Sequence, residues 1–347
     1  MTPQSNASFS PRGLTNVRRP ARPHASNDQP PLHPEAAAYL ARHGDETGPP
    51  TDGPDYVVET RRRLRAQEHP DPSRGGEYEL RDLTIPANAE QPAVDVLVCR
   101  PAAARGDTAA MVFIHGGAFM FHDRFTGGLD LAQRWVAGLG LTIVSVEYRQ
   151  PPEHPHPAPV LDCVRALTWL HDNAASLGVT ASKIFVAGIS AGAGLAAATV
   201  LANADGSGVP VRGALLHAPM LDDRCRTPSM NQITGSGLLT APSVLVGWNA
   251  LLETRAGGDV VSPYAAPARA DRFDGLPPLF LEVGSVDVFR DETTAFATNV
   301  WAAGGDAELH VWPGVTHGFE ALIPQSDVTA TADGVRRRWL HHVLDRD

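Results

Sequence analysis

Cysteine is scarce: only Cys99, Cys163 and Cys225 occur in 347 residues. An odd number at wide spacing excludes a disulfide framework and a structural zinc site, and each is read as a small buried hydrophobe. No apolar run approaches the ~18 residues of a membrane-crossing helix. Basic charge is also short, with 29 Lys and Arg against 39 Asp and Glu and a formal net charge of −10. An acidic balance is a poor match to nucleic acid or an anionic membrane surface. The first 29 residues carry Pro3, Pro11, Pro20 and Pro23 with Arg12, Arg18, Arg19 and Arg22, but no apolar stretch follows. A secretory signal is therefore not expected. Residues 1–29 read as a disordered tail and the protein as cytoplasmic.

What is present is an ordinary globular composition, 43% hydrophobic and 20% charged. The length suits one large α/β domain with insertions, or two smaller domains. Pro34 opens a short helix that Gly44 closes. A second helix is expected over 56–67, with Arg61-Arg62-Arg63 read as a solvated face. The stretches 78–85 and 93–99 alternate apolar and polar residues and fit an antiparallel pair at a sheet edge. Six mostly apolar strands follow, at 110–114, 142–148, 183–188, 213–218, 279–284 and 308–312. Helical stretches at 129–139, 160–175, 191–202, 293–303 and 328–344 separate most of them. That alternation implies a mostly parallel sheet with helices on both faces. About sixty residues part the strand near Ala218 from the strand near Leu279. A connection that long is an insertion with structure of its own, here with a helix over 243–253, and often a functional lid.

One local pattern concentrates chemistry. "IFVAGISAGAGLAAATV" (184–200) runs from strand to helix through Gly188-Ile189-Ser190-Ala191-Gly192. A serine hydroxyl becomes an effective nucleophile when it projects from a fixed point and a base takes its proton. A tight strand–Ser–helix corner supplies the fixed point, and glycines on either side relieve the crowding. The bland alternative is a glycine-rich turn with a capping serine. "FIHGGAF" places Gly116 and Gly117 directly after another apolar strand, where free amides could face a tetrahedral oxyanion, with the amide of Ala191 as a third donor. His115 is read as holding the glycine loop rather than moving a proton. An acid and a histidine then follow the serine in chain order, Asp287 after one strand and His317 after the last. All three fall at C-terminal strand ends, where open α/β sheets place their sites.

With "HGGAF", "VEYRQPPEHPHPAP", "GISAGAG", "YAAPARA", "DVFRDE" and "HGF" in this order, the chain closely resembles the hormone-sensitive-lipase-like family of α/β-hydrolases, from about Pro34 onward. Bacterial members are mostly carboxylesterases. The resemblance implies an α/β-hydrolase fold with a mostly parallel eight-stranded sheet and a helical cap. It implies a triad of Ser190, Asp287 and His317, and an oxyanion hole of Gly116, Gly117 and Ala191. The cap would be N-terminal helices over 30–73 and the insertion 222–261, with 74–221 and 262–347 as the catalytic domain. Ile189 stands where the family commonly has an acidic residue, Ala193 where glycine is usual, and "YRQPPE" replaces "YRLAPE". The first departure bears on local stability or pH profile rather than on the triad. Arg149, Glu153 and Asp162 are expected to brace the scaffold as ion pairs.

The function so implied is hydrolysis of short- to medium-chain carboxylic esters through an acyl-enzyme. No metal and no organic cofactor is called for, and a homodimer is left open. An amidase or an acyltransferase could use the same triad, and a non-catalytic small-molecule receptor could share the fold. Phe119, Met120, Phe121 and Phe125 beside the glycine loop, and Trp248 in the insertion, are read equally as core packing or pocket wall. Of these, Phe119, Phe121 and Trp248 are the expected substrate pocket.

Overall fold

The alternating apolar strands assemble into a single eight-stranded sheet in the order β1-β2-β4-β3-β5-β6-β7-β8 in the computed structural model, which describes residues 29–44, 54–206, 208–234, 239–253 and 255–346. The expected disordered tail, apart from its last residue, lies outside the described residues. The strands are β1 Tyr78–Ile85, β2 Val94–Pro101, β3 Thr108–Ile114, β4 Thr142–Glu147, β5 Val179–Ile189, β6 Gly213–His217, β7 Leu279–Val286 and β8 Ala307–Thr316. Before the sheet come helices α1 Pro34–His43 and α2 Pro54–Arg65. Within it come α3 Leu129–Trp135, α4 Ala158–Asp172, α5 Ala174–Leu177, α6 Ala191–Asp205, α7 Pro228–Gln232, α8 Ala241–Leu252 and α9 Arg290–Ala302. The chain closes with α10 Phe319–Leu322 and α11 Asp327–Leu344.

Pairing follows the residue pattern. From β4 through β8 every neighbouring pair is parallel, whereas β1 pairs antiparallel with β2 and β2 with β4. The mostly exposed β1 sits at the edge, and β6, apolar up to its terminal His217, is buried throughout. Strand periodicity splits the core in two. Ala110, Val112 and Ile114 of β3 join the core on one face of the sheet, while Met111 and Phe113 join the second core with Trp135 of α3 and Trp339 of α11. The Ala-rich α6 is buried from Ala191 to Leu201, because small side chains let it approach the sheet closely. A Cβ on its Gly194 would stand 2.2 Å from the Met220 carbonyl oxygen.

Three local expectations change. The single helix expected over 160–175 is broken at Asn173, whose side chain turns back to the Trp169 carbonyl and leaves α5 as a separate turn. The arginine run is not all solvated. Arg61 is only 17% exposed at its side chain and pairs with Glu153 at 2.7 Å. Arg62 instead pairs with Glu59 on the surface. Glu153 therefore fastens α2, and the scaffold pair is Arg149 with the buried Asp162, at 2.8 Å. No helix among the described residues is long and apolar enough to cross a membrane.

Candidate active site

The turn between β5 and α6 places Ser190 at φ 59° and ψ −123°, a conformation sparsely populated by non-glycine residues. Neighbouring backbone holds it there: the Ser190 amide donates to the His217 carbonyl at 2.9 Å, and its own carbonyl accepts from Gly194 at 3.0 Å and Met220 at 3.1 Å. The two glycines are sterically required. A Cβ at Gly188 would stand 2.3 Å from the Gly192 oxygen, and one at Gly192 would stand 2.2 Å from the Ile114 oxygen. Ile189, at the family's usual acidic position, packs against the second core and reaches the cavity wall.

The structure brings the serine, histidine and aspartate together from three strand ends. His317 Nε2 lies 3.0 Å from Ser190 Oγ, and its Nδ1 lies 2.9 Å from Asp287 Oδ2. The Asp287 carboxylate is fully buried, and its other oxygen accepts the Phe289 amide at 3.0 Å. That second bond fixes the carboxylate plane. The edge of the Phe289 ring packs against His317, with centroids 5.2 Å apart. Ser190 is 9% exposed, and it lines the cavity together with His317. Five residues beyond Asp287, the buried Glu292 accepts the Leu221 amide at 2.7 Å and so ties down the loop after β6. Burial pushes the Glu292 carboxyl well above its ordinary range.

The glycine loop requires one correction. The Gly116 amide donates to the Gly127 carbonyl at 2.9 Å, so it closes the loop and does not point at a substrate. The amides of Gly117, Ala118 and Ala191 have no protein acceptor among the described residues. Ala118, not singled out by the sequence, lines the cavity beside Gly117 and Ser190. Gly117 has φ 116°, and a Cβ there would strike the Phe121 oxygen at 2.3 Å. His115 holds this loop as expected: Nδ1 donates to the Gly116 carbonyl at 2.9 Å, and the ring stacks on Tyr148 at 4.3 Å. Burial pushes its pKa down to about 4, which leaves a neutral ring at ordinary pH.

A cavity of about 760 Å³ opens over Ser190 and His317. Tyr56 of α2 and Leu239, Val244 and Val246 of the insertion form part of its wall, with Met120 and Phe121 of the glycine loop. Of the expected pocket residues only Phe121 lines it. Phe119 and Trp248 are buried against each other, with ring centroids 5.2 Å apart, and belong to the core. Phe125 lies under the Arg124 guanidinium, 4.5 Å from its centroid. Polar groups enter the wall at Asp130, Arg134 and Glu320. No group of three or more His, Cys, Asp or Glu among the described residues is arranged to hold a metal ion.

Comparison with known proteins agrees with this fold. Residues 111–321 match a family described by its alpha/beta hydrolase fold. The chain is 32% identical over 301 residues to carboxylesterase NlhH of Mycobacterium tuberculosis, covering 83% of this chain and 91% of that protein. It is 31% identical over 271 residues to the carboxylic ester hydrolase LipN of the same organism, covering 76% and 70%. Among solved structures, a bacterial heroin esterase superposes with a TM-score of 0.80 at 33% identity, covering 91% of this chain and 98% of that one. The chain belongs to the α/β-hydrolase family, in the hormone-sensitive-lipase-like branch of bacterial carboxylesterases.

Proposed function

We propose that this protein is a serine carboxylesterase in which Ser190 is the nucleophile, His317 the general base and acid, and Asp287 the group that orients the imidazole. The observation that carries this reading is the hydrogen-bonded line from Asp287 through His317 to Ser190, at 2.9 and 3.0 Å, on a cavity that Gly117 and Ala118 also line. Ser190 Oγ attacks the ester carbonyl while Nε2 takes its proton. The amides of Gly117, Ala118 and Ala191 receive the oxyanion. His317 then returns the proton to the departing alcohol, leaving an acyl-serine. Water, deprotonated by the same Nε2, attacks that ester, and His317 returns the proton to Ser190 Oγ as the bond from Oγ to the acyl carbon breaks and the acid is released. Buried and doubly hydrogen-bonded, Asp287 keeps Nδ1 protonated and stabilises the transient imidazolium.

The substrate class follows from the cavity. About 760 Å³ suits a small organic ester. The apolar part of its wall, with Met120, Phe121, Leu239 and Val244, favours an acyl or alcohol group without charge. Helices α2 and α8 act as the cap, since both supply wall residues, and their cover limits the acyl chain to short and medium lengths. A series of p-nitrophenyl esters from acetate to palmitate tests this. The expected profile peaks at eight carbons or fewer and disappears in Ser190→Ala. A profile rising toward palmitate would overturn the chain-length assignment.

A further inference from the structure

Behind the proposed active site lies a buried charge cluster that the steps above do not use. His217 ends β6 and is 2% exposed. Its Nδ1 is 2.9 Å from Oε1 of Glu282 on β7, and its Nε2 is 3.4 Å from Oε2 of Glu320 on α10. Both carboxylates are fully buried. Arg336 of α11, equally buried, bridges the same two groups, with Nε on Glu282 and Nη2 on Glu320. Its Nη1 meets Asp333 at 2.9 Å, and Asp333 also holds Arg134 of α3 at 2.5 Å. Trp312 of β8 donates to the second Glu282 oxygen at 2.8 Å. The rings of Trp135 and Phe319 close the remaining sides of the imidazole, at 5.8 and 6.3 Å.

The charges decide the protonation of His217. Glu282, Glu320 and Asp333 face Arg336 and Arg134, so the cluster balances only when His217 is a cation. An uncompensated charge in such a place is strongly destabilising. Burial by itself would lower the His217 pKa, and Arg336 Nη2 stands only 3.4 Å from Nδ1. The charges of Glu320 and Glu282 outweigh the burial and hold the pKa at about 9.

The cluster touches both halves of the proposed catalytic pair. The His217 carbonyl accepts the Ser190 amide at 2.9 Å. Glu320 lies three residues beyond His317 in the single turn α10, and it reaches the cavity wall. We propose that His217 is a positioning residue for ester hydrolysis: its imidazolium clamps Glu320, and with it the His317 loop, to the strand end that holds Ser190. This inference rests on the esterase reading of the site. When His217 loses its proton, two buried carboxylates are left to one guanidinium, Glu320 shifts, and the distance between Ser190 and His317 is no longer held. Small displacements of reacting groups cost rate rather than ground-state binding.

The test is the pH dependence of kcat and KM for p-nitrophenyl butyrate, corrected for spontaneous hydrolysis, with circular dichroism at each pH. The wild type should show an alkaline limb in kcat near pH 9 while KM and the fold are retained. Glu320→Gln removes one carboxylate facing His217, so the limb should move by roughly one unit to lower pH. Asp333→Asn, the most exposed of the three acids, should move it in the same direction by less, and it decides the matter if Glu320→Gln does not fold. His217→Gln should lose the limb and reduce kcat by roughly 10- to 100-fold, with KM within a few-fold. A limb unmoved in the folded carboxylate variants, one that persists in His217→Gln, or one that coincides with unfolding of the wild type overturns the proposal. Turnover retained by Ser190→Ala would instead overturn the esterase reading on which it rests.

Discussion

The guanidinium of Arg61 donates from Nε to the carbonyl oxygen of Met120 at 2.8 Å. The same side chain donates to the Pro151 carbonyl at 2.9 Å and pairs with Glu153. One arginine thus fastens α2 to the glycine loop and to the turn after β4. Tyr56, from the same helix, packs edge-on against Phe121 at 6.1 Å, so the position of α2 shapes the cavity wall.

Arg61→Ala should therefore act on substrate binding more than on chemistry. We expect KM to rise about 5- to 10-fold with kcat within about 3-fold, the pattern of lost ground-state binding. Arg61→Lys should recover little of this, because one ammonium cannot reproduce a planar fork serving three acceptors. Steady-state kinetics on one short ester checks both variants. An unchanged KM would separate α2 from the substrate cavity.

Acid stability should depend on His115. Its pKa is depressed from 6.5 to about 4 by burial, so the unfolded chain binds its proton first as pH falls. Stability from the neutral ring is full above pH 6.5 and lost as pH drops through about 4, worth about 3 kcal/mol in all. Urea unfolding of wild type and His115→Gln between pH 7 and pH 4 measures it. The variant should start less stable and lose less on acidification. Parallel curves would show that His115 does not carry this dependence.

Two glycine substitutions should have opposite signs. Gly192→Ala drives a Cβ to within 2.2 Å of the Ile114 oxygen and 2.3 Å of the His115 oxygen, both backbone atoms that cannot yield cheaply. A loss of more than about 4 kcal/mol, or failure to fold, is expected. Gly334 lies inside α11, and a Cβ added there would meet nothing within 4 Å, so only helix propensity is at stake. Gly334→Ala should stabilise by roughly 0.5–1 kcal/mol. Thermal unfolding of the two variants decides between these outcomes.

The grouping of Ser190, Asp287 and His317 was legible in the sequence because each follows a short apolar strand and carries its own local pattern. The edge hairpin and the parallel core were legible for a similar reason, since alternation and continuous apolar runs report burial directly. What stayed hidden depends on contacts distant in sequence. Gly116 looks like an oxyanion donor until the Gly127 carbonyl takes its amide. Arg61 looks like part of a solvated run until Met120 and Pro151 present their carbonyls. Phe119 and Trp248 are as apolar as any pocket wall, and only their mutual packing assigns them to the core. His217, Glu282, Glu320 and Arg336 are ordinary surface residue types by composition, and their burial arises from four elements converging.

The most direct test of the catalytic assignment is single-site replacement within the Ser190–His317–Asp287 line, read by kcat/KM on p-nitrophenyl butyrate with circular dichroism to verify folding. Ser190→Ala, His317→Ala and Asp287→Ala should each lose on the order of 10⁴-fold, and the Ser190→Ala/His317→Ala double variant should be little worse than either of its parents, because the groups act as a unit. Substantial turnover by a folded Ser190→Ala, or losses that multiply in the double variant, would contradict the account.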